Sequence, residues 1–196
     1  MKFLYMFFIL CLCLNAKGDR LSIGQALPME TYTLKDVSGK TLTLGELKRE
    51  NGLLVIFSCN TCPWVIAWQD RYNEIAEIAK KNNVGIVFVN SNAGKRSGAD
   101  SYEKMQEHAK KNRYSFYYAV DKNNQLADAF GATKTPDLFL FDAKAKLAYV
   151  GAIDDNAENA SKVNRYYIKD ALTALGTNKT IATAKTKSVG CSIKRI

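Results

Sequence analysis

Two short runs of this chain are apolar almost throughout, and they frame everything around them. Leu53–Ser58 (LLVIFS) and Gly85–Asn90 (GIVFVN) have the pattern of strands buried on both faces of a sheet. Ahead of them, residues 30–35 and 40–44 alternate apolar with polar on either side of Ser38-Gly39, which predicts a hairpin. Between residues 62 and 81 the period changes. Val65, Trp68, Tyr72, Ile75, Ala76 and Ala79 fall on one helical face, and Asp70, Arg71, Glu74, Glu77 and Lys80 fall elsewhere. Pro63 suits the start of that helix, where its missing N–H costs little. Residues 100–111 predict an exposed helix, 116–120 a short strand and Gln125–Phe130 a short helix. Residues 137–142 and 147–150 flank Ala143-Lys144 as a second hairpin, and 163–175 predict a last helix. This order is a hairpin, then β-α-β-α-β-α, then β-β-α. It implies an α/β domain with a central mixed sheet and helices on both faces.

The ends of the chain read differently. Residues 3–14 (FLYMFFILCLCL) carry no charge, follow Lys2, and are too short to span a bilayer comfortably. Small residues at Ala16 and Gly18 offer cleavage after Gly18 or after Ala16. Residues 1–18 are therefore expected to be a secretory signal and the mature protein to be exported, periplasmic or otherwise. No stable membrane insertion is expected after cleavage; an uncleaved anchor is the alternative. A lipid anchor at Cys11 or Cys13 is disfavoured because leucine precedes each. Residues 19–176 form the expected domain. Residues 177–196 read as a basic tail, with Lys179, Lys185, Lys187, Lys194, Arg195 and no acid.

At 196 residues, 47% of them apolar, the chain has enough material for one full core. The net charge of +9 is scattered, with no aromatic-interleaved basic motif, so a lysine-rich solvated surface is expected and nucleic acid is not. Beyond residue 18 three cysteines remain, Cys59, Cys62 and Cys191. In an oxidising compartment an odd number leaves at least one thiol free, transiently paired, or paired with another molecule.

Cys59-Asn60-Thr61-Cys62 lies between a buried strand and a helix start. Unpaired amides and the helix dipole there stabilise a thiolate, the attacking species in disulfide exchange. Two intervening residues let the second sulfur reach the first. Cys59 is expected to be the exposed attacker and Cys62, within the first turn, the resolving thiol. A zinc site would need Cys59, Cys62, Cys191 and His108 to converge from distant segments, so no metal is expected. A static disulfide across this spacing closes too small a loop to stabilise much. Thr135-Pro136 precedes the strand DLFLF; a cis bond there would offer the Thr135 backbone to an extended partner peptide.

These elements resemble the thioredoxin superfamily. The ordered set LTLGEL, FSCNTCPWV, VFVNSN, GATKTPDLFLFD, YVGAIDDN and SVGCSIK is similar to the peroxiredoxin-like branch of the alkyl hydroperoxide reductase/thiol-specific antioxidant group. The resemblance implies a thioredoxin-like fold, with Thr135-Pro136 as its cis-proline element beside the cysteines. The expected activity is that of an enzyme exchanging with protein disulfides or dithiols and a redox partner, because a peptide-pairing edge fits them, with no organic cofactor, because electrons move between sulfurs. Departures from the pattern matter. Thr61 stands where relatives often carry histidine, which implies a less oxidising centre. Ser58 and Leu53 stand where thioredoxins proper place tryptophan and an acid, so the proton acceptor for Cys62 is unassigned. The peroxiredoxin signature Pro-x-x-x-Thr/Ser-x-x-Cys fits neither cysteine: the positions fall on Val55 and Cys59, or on Gly52 and Ile56. Dithiol exchange therefore ranks first, thiol peroxidase second, and a thioredoxin-fold binding module third. Cys191 is a candidate relay thiol reaching Cys59 on a flexible tail, or a spectator packed by that tail. His108 is expected to face solvent, and Asp154-Asp155 to be a solvated loop pair.

Overall fold

The two apolar runs become neighbours inside one sheet. In the computed structural model, which describes residues 18–196, they are β3 (Leu53–Ser58) and β4 (Gly85–Asn90), paired in parallel from Leu53↔Gly85 to Ser58↔Asn90. The hairpin strands before them are β1 (Thr33–Asp36) and β2 (Thr41–Thr43). Next come α1 (Leu44–Leu47), α2 (Pro63–Trp68), α3 (Tyr72–Lys81), α4 (Tyr102–Lys111), β5 (Tyr117–Val120) and α5 (Gln125–Phe130). The chain ends with β6 (Lys134–Thr135), β7 (Asp137–Phe141), β8 (Leu147–Gly151), α6 (Tyr167–Gly176) and β9 (Cys191–Ser192). Seven strands form one sheet in the order β2-β1-β5-β4-β3-β7-β8, while β6 and β9 pair separately. β3, β4 and β5 are parallel and the outer pairings antiparallel, which is the mixed sheet the sequence implied.

Alternation along β3 divides the core. Leu54 and Ile56 face a cluster with Val65, Trp68, Tyr72 and Ile75 from α2 and α3, and Ile168 and Leu172 from α6. Leu53, Val55 and Phe57 face the other side, against Leu44 and Leu47 of α1 and Leu126 and Phe130 of α5. Helices thus cover both faces. Helix α1 was not predicted, though Thr43 and Glu46 form a capping box that the sequence displays.

Four expectations are corrected. The helix predicted over 62–81 is broken by a tighter turn at Gln69–Arg71. That turn brings Trp68 and Arg71 to one carboxylate: Trp68 Nε1 donates to Asp154 Oδ1 at 2.8 Å and Arg71 Nη1 to Asp154 Oδ2 at 2.7 Å. Arg71, off the apolar face of that helix, is nonetheless only 5% exposed and also donates to the Asn156 and Ala157 carbonyls. Asp154 is accordingly not solvated but buried; only Asp155 is exposed. Asp155 Oδ1 accepts from the Asn164 amide, and α6 starts at Tyr167 rather than 163. Finally, the tail is not loose. Lys185 bridges to Val150, and Thr186 hydrogen-bonds Tyr149 and the Ala152 amide. The signal call lies on residues 1–18, all but Gly18 outside the described residues. No described helix is long and apolar enough to cross a membrane.

Removing one partner of a buried ion pair strands the other charge. Asp154→Ala is therefore expected to lose about 3–5 kcal/mol in urea unfolding at unchanged m. A loss below about 1 kcal/mol would mean Arg71 finds water instead.

Candidate functional site

Strand β3 delivers Cys59 directly after its last residue, Ser58, and Cys62 takes the N-cap position of α2 with Pro63 following. Across from this turn lies Thr135, at the end of β6, and its bond to Pro136 is cis. Thr135 touches both cysteines: its Oγ1 lies 3.4 Å from Cys59 Sγ, and its carbonyl accepts from Cys62 Sγ at 3.1 Å. Strand β9 then sets Cys191 opposite Thr135 in antiparallel register. The five residues singled out from the sequence, Cys59, Cys62, Thr135, Pro136 and Cys191, therefore meet at one place. Their thiols are unpaired. Among the described residues no group of three or more His, Cys, Asp or Glu side chains is arranged to hold a metal ion.

Exposure departs from expectation. Cys59, expected at the surface, is only 2% exposed, and Cys62 is 4%. Large apolar side chains do reach solvent beside them, Trp64 at 37% and Ile66 at 55%.

Electrostatically the two thiols act as one unit, because two contacting sulfurs do not both carry charge. The Cys62 thiol is pushed down to about 4, first by the Cys59 thiol donating to it, then by the Cys191 thiol and the amides of Val65 and Cys191, against the opposing effect of burial. Cys59 is pushed far up, by its bond to Cys62 and then by burial, with the charge of Asp100 adding to the rise. Only the Thr135 hydroxyl and a Cys62 backbone contact favour charge on Cys59. The Cys62–Thr135 carbonyl contact belongs to the other proton arrangement, in which Cys62 keeps its hydrogen and Cys59 holds the charge.

Asp100 belongs to a buried network that sequence reasoning missed. The Asn60 amide, inside the Cys-x-x-Cys turn, donates to Asp100 Oδ1 at 2.8 Å. Asn90 Nδ2 donates to the same oxygen and Asn92 Nδ2 to Oδ2. Tyr118 Oη donates to Asn60 Oδ1, and Arg96 Nη2 to the Asn90 carbonyl. The signal was present: Asn90 ends an apolar strand and Asn92 follows two residues on, polar amides where the strand gives no reason for them. A second missed group is Arg20, which forks onto fully buried Asp137 at 2.6 and 2.7 Å beside Ser188 Oγ, itself donating to Asp137. His108, expected in solvent, is half-buried and shares a 3.0 Å contact with Tyr114 Oη; burial lowers its pKa.

Comparison with known proteins places this site in context. Residues 22–167 match the model of the Redoxin family. A hypothetical protein from Sinorhizobium meliloti is 30% identical, with a TM-score of 0.82 over 91% of this chain and 97% of its own. An uncharacterised conserved protein from Geobacillus kaustophilus is 31% identical, with a TM-score of 0.83 over 89% of this chain and 93% of its own. The peroxidoxin BcpB from Mycobacterium tuberculosis shares the fold at 15% identity, with a TM-score of 0.61 over 81% and 98%. Among curated proteins none matches the chain.

One titration follows from the shared charge. In the reduced protein a single thiolate should form with a midpoint near 4, against an ordinary thiol value of 9.0, so acidification removes it only as pH nears 4. Cys59→Ala deletes the largest stabilising donor and should move that midpoint up. Ultraviolet thiolate absorbance against pH reads both; a wild-type step at the ordinary thiol value would contradict the shared charge.

Proposed function

The chain belongs to the Redoxin family, the thiol-based oxidoreductases and peroxidases of the thioredoxin fold, and from that premise we propose that it exchanges a Cys59–Cys62 dithiol with disulfides of other proteins. The observation that carries this reading is the contact of both sulfurs with Thr135, at the junction of a buried strand and a helix start. The proton between the two sulfurs can sit on either. When Cys62 takes it, its S–H donates to the Thr135 carbonyl while the Thr135 hydroxyl donates to the Cys59 thiolate. Thr135 thus supports the form in which Cys59 attacks. Attack on a partner disulfide forms a mixed disulfide and releases one partner thiolate. Cys62 then displaces the second partner sulfur, leaving a Cys59–Cys62 disulfide and a reduced partner; two electrons have passed. Electrons move between sulfurs, so no organic cofactor takes part. Exposed Trp64 and Ile66 beside the pair suit a protein partner, since apolar surface at a site marks docking.

A second reading, thiol peroxidase, gains from one observation. The hydroxyl missing from the sequence signature is supplied at Cys59 by Thr135, from another segment. Peroxide would then oxidise Cys59 to a sulfenic acid that Cys62 condenses with. The compartment we propose is an exported one, supported by the uncharged run at residues 3–14 and the small residues after it.

Reduced protein mixed with a protein disulfide such as insulin tests the dithiol reading. Cys59→Ser removes the attacking sulfur and should slow exchange by at least about tenfold, since only buried Cys62 and half-buried Cys191 remain to react. Cys62→Ser should accumulate the mixed disulfide. Oxidation by low-micromolar peroxide that outruns exchange would favour the peroxidase instead. For the compartment, intact mass of the mature protein should place its first residue at 17 or 19; retention of Met1 in the exported fraction would contradict cleavage.

A further inference from the structure

The edge that was expected to receive a partner peptide is already paired. Strand β9 lies antiparallel on β6, with Cys191 opposite Thr135 and Ser192 opposite Lys134. This is the arrangement a substrate strand would adopt on that edge, with its cysteine brought to the dithiol. The Cys191 side chain is half-buried and packs against the cluster that contains both other cysteines, and its thiol and amide help hold the Cys62 thiol down.

The segment is built for this position. Before Cys191, Ser188 is fixed by Asp137 and its carbonyl by Lys134 Nζ. Gly190 crosses the Thr135 carbonyl so closely that a Cβ there would collide with it. After Cys191, the Ile193 amide donates to the Thr133 carbonyl and the Ile193 side chain is buried. The Lys194 amide donates to Asn92 Oδ1, and its carbonyl accepts from the Gly94 amide. Asn92 also holds Asp100, whose other oxygen fixes the Cys-x-x-Cys turn. The strand and the turn are thus anchored to one carboxylate. A spectator thiol would not need its neighbours fixed on both sides.

We propose that Cys191 is a third exchanging thiol, presented to the Cys59–Cys62 pair as the chain's own substrate cysteine. This rests on the dithiol reading. In the step, the Cys191 sulfur attacks Cys62 of the Cys59–Cys62 disulfide. A Cys62–Cys191 bond forms as the Cys59–Cys62 bond breaks, Cys59 leaves as thiolate, and the Cys191 proton passes to it or to solvent. No electrons enter or leave. The exchange frees Cys59 and fastens the last strand across the site.

The test is disulfide mapping of the full protein equilibrated in a glutathione redox buffer, acid-quenched, alkylated and digested. Wild-type protein should contain both Cys59–Cys62 and Cys62–Cys191 peptides. Cys59→Ser should contain Cys62–Cys191 in at least about tenfold excess over Cys62 glutathione adduct, because a thiol fixed in place acts at a high effective concentration. Wild-type protein with Cys191 fully alkylated, together with Cys59→Ser carrying only glutathione adducts, would overturn the proposal and leave the dithiol reading standing. If Cys191→Ser forms no Cys59–Cys62 disulfide, the dithiol reading falls and the proposal with it.

Discussion

Three thiols depend on where Thr135 sits. Its hydroxyl meets Cys59, its carbonyl meets Cys62, and its strand pairs with Cys191. A shift of this one residue would change all three contacts together. What fixes it is the carboxylate two residues on. Asp137 is fully buried and takes the fork of Arg20 and the hydroxyl of Ser188. The Arg20 side chain is 32% exposed, so solvent screens the ion pair from its side. On the buried side, an unpaired Asp137 would carry most of the cost, and that asymmetry makes the position stiff.

The same surroundings give two chemically identical thiols different characters. Donors gather on Cys62: another thiol on each side and two amides. Cys59 faces the charge of Asp100 and has the Thr135 hydroxyl as its main relief. Environments of this kind push the pKa values of paired groups apart and assign the charge to one of them. Here the assignment can reverse by one proton shift between touching sulfurs, because Thr135 offers an acceptor to one and a donor to the other. Asp100 discourages a second charge in the site, and its ligands, Asn60, Asn90 and Asn92, keep the turn from moving away from it.

Much of this was legible in the sequence, for identifiable reasons. β3 and β4 appear at their predicted limits because fully buried strands leave an unbroken apolar run. The Cys-x-x-Cys turn and Thr135-Pro136 were legible because both stand directly against such strands. What was lost had two causes. Asp154 was read as solvated because it is charged; neither it nor Arg71 shows alone that the other, eighty-three residues away, will pair with it in the core. The tail was read as aperiodic because its order comes from single hydrogen bonds, to Thr133, Asn92 and Asp137, and not from a repeating apolar face. Only periodic burial leaves a local trace in sequence.

The contacts around Asp137 also decide when the site can exist. Arg20 and Ser188 lie 168 residues apart, close to the two ends of the described chain, and hydrogen-bond to each other as well as to Asp137. Contacts so distant in sequence carry the largest loop-closure cost and form after the sheet that seats them. The dithiol turn needs only β3, α2 and the β4 loop with Asp100, all contained in residues 53–100. Thr135 needs β7 in place, and Cys191 needs the last strand. The arrangement is therefore hierarchical: a local Cys-x-x-Cys turn completed first, its hydrogen-bonding partner Thr135 added by the middle of the chain, and its third sulfur by the end. The edge at Thr135 is occupied by the chain's own last strand, whose Cys191 thiol and amide help hold the Cys62 thiol down, so the dithiol and the strand that lies on it are coupled.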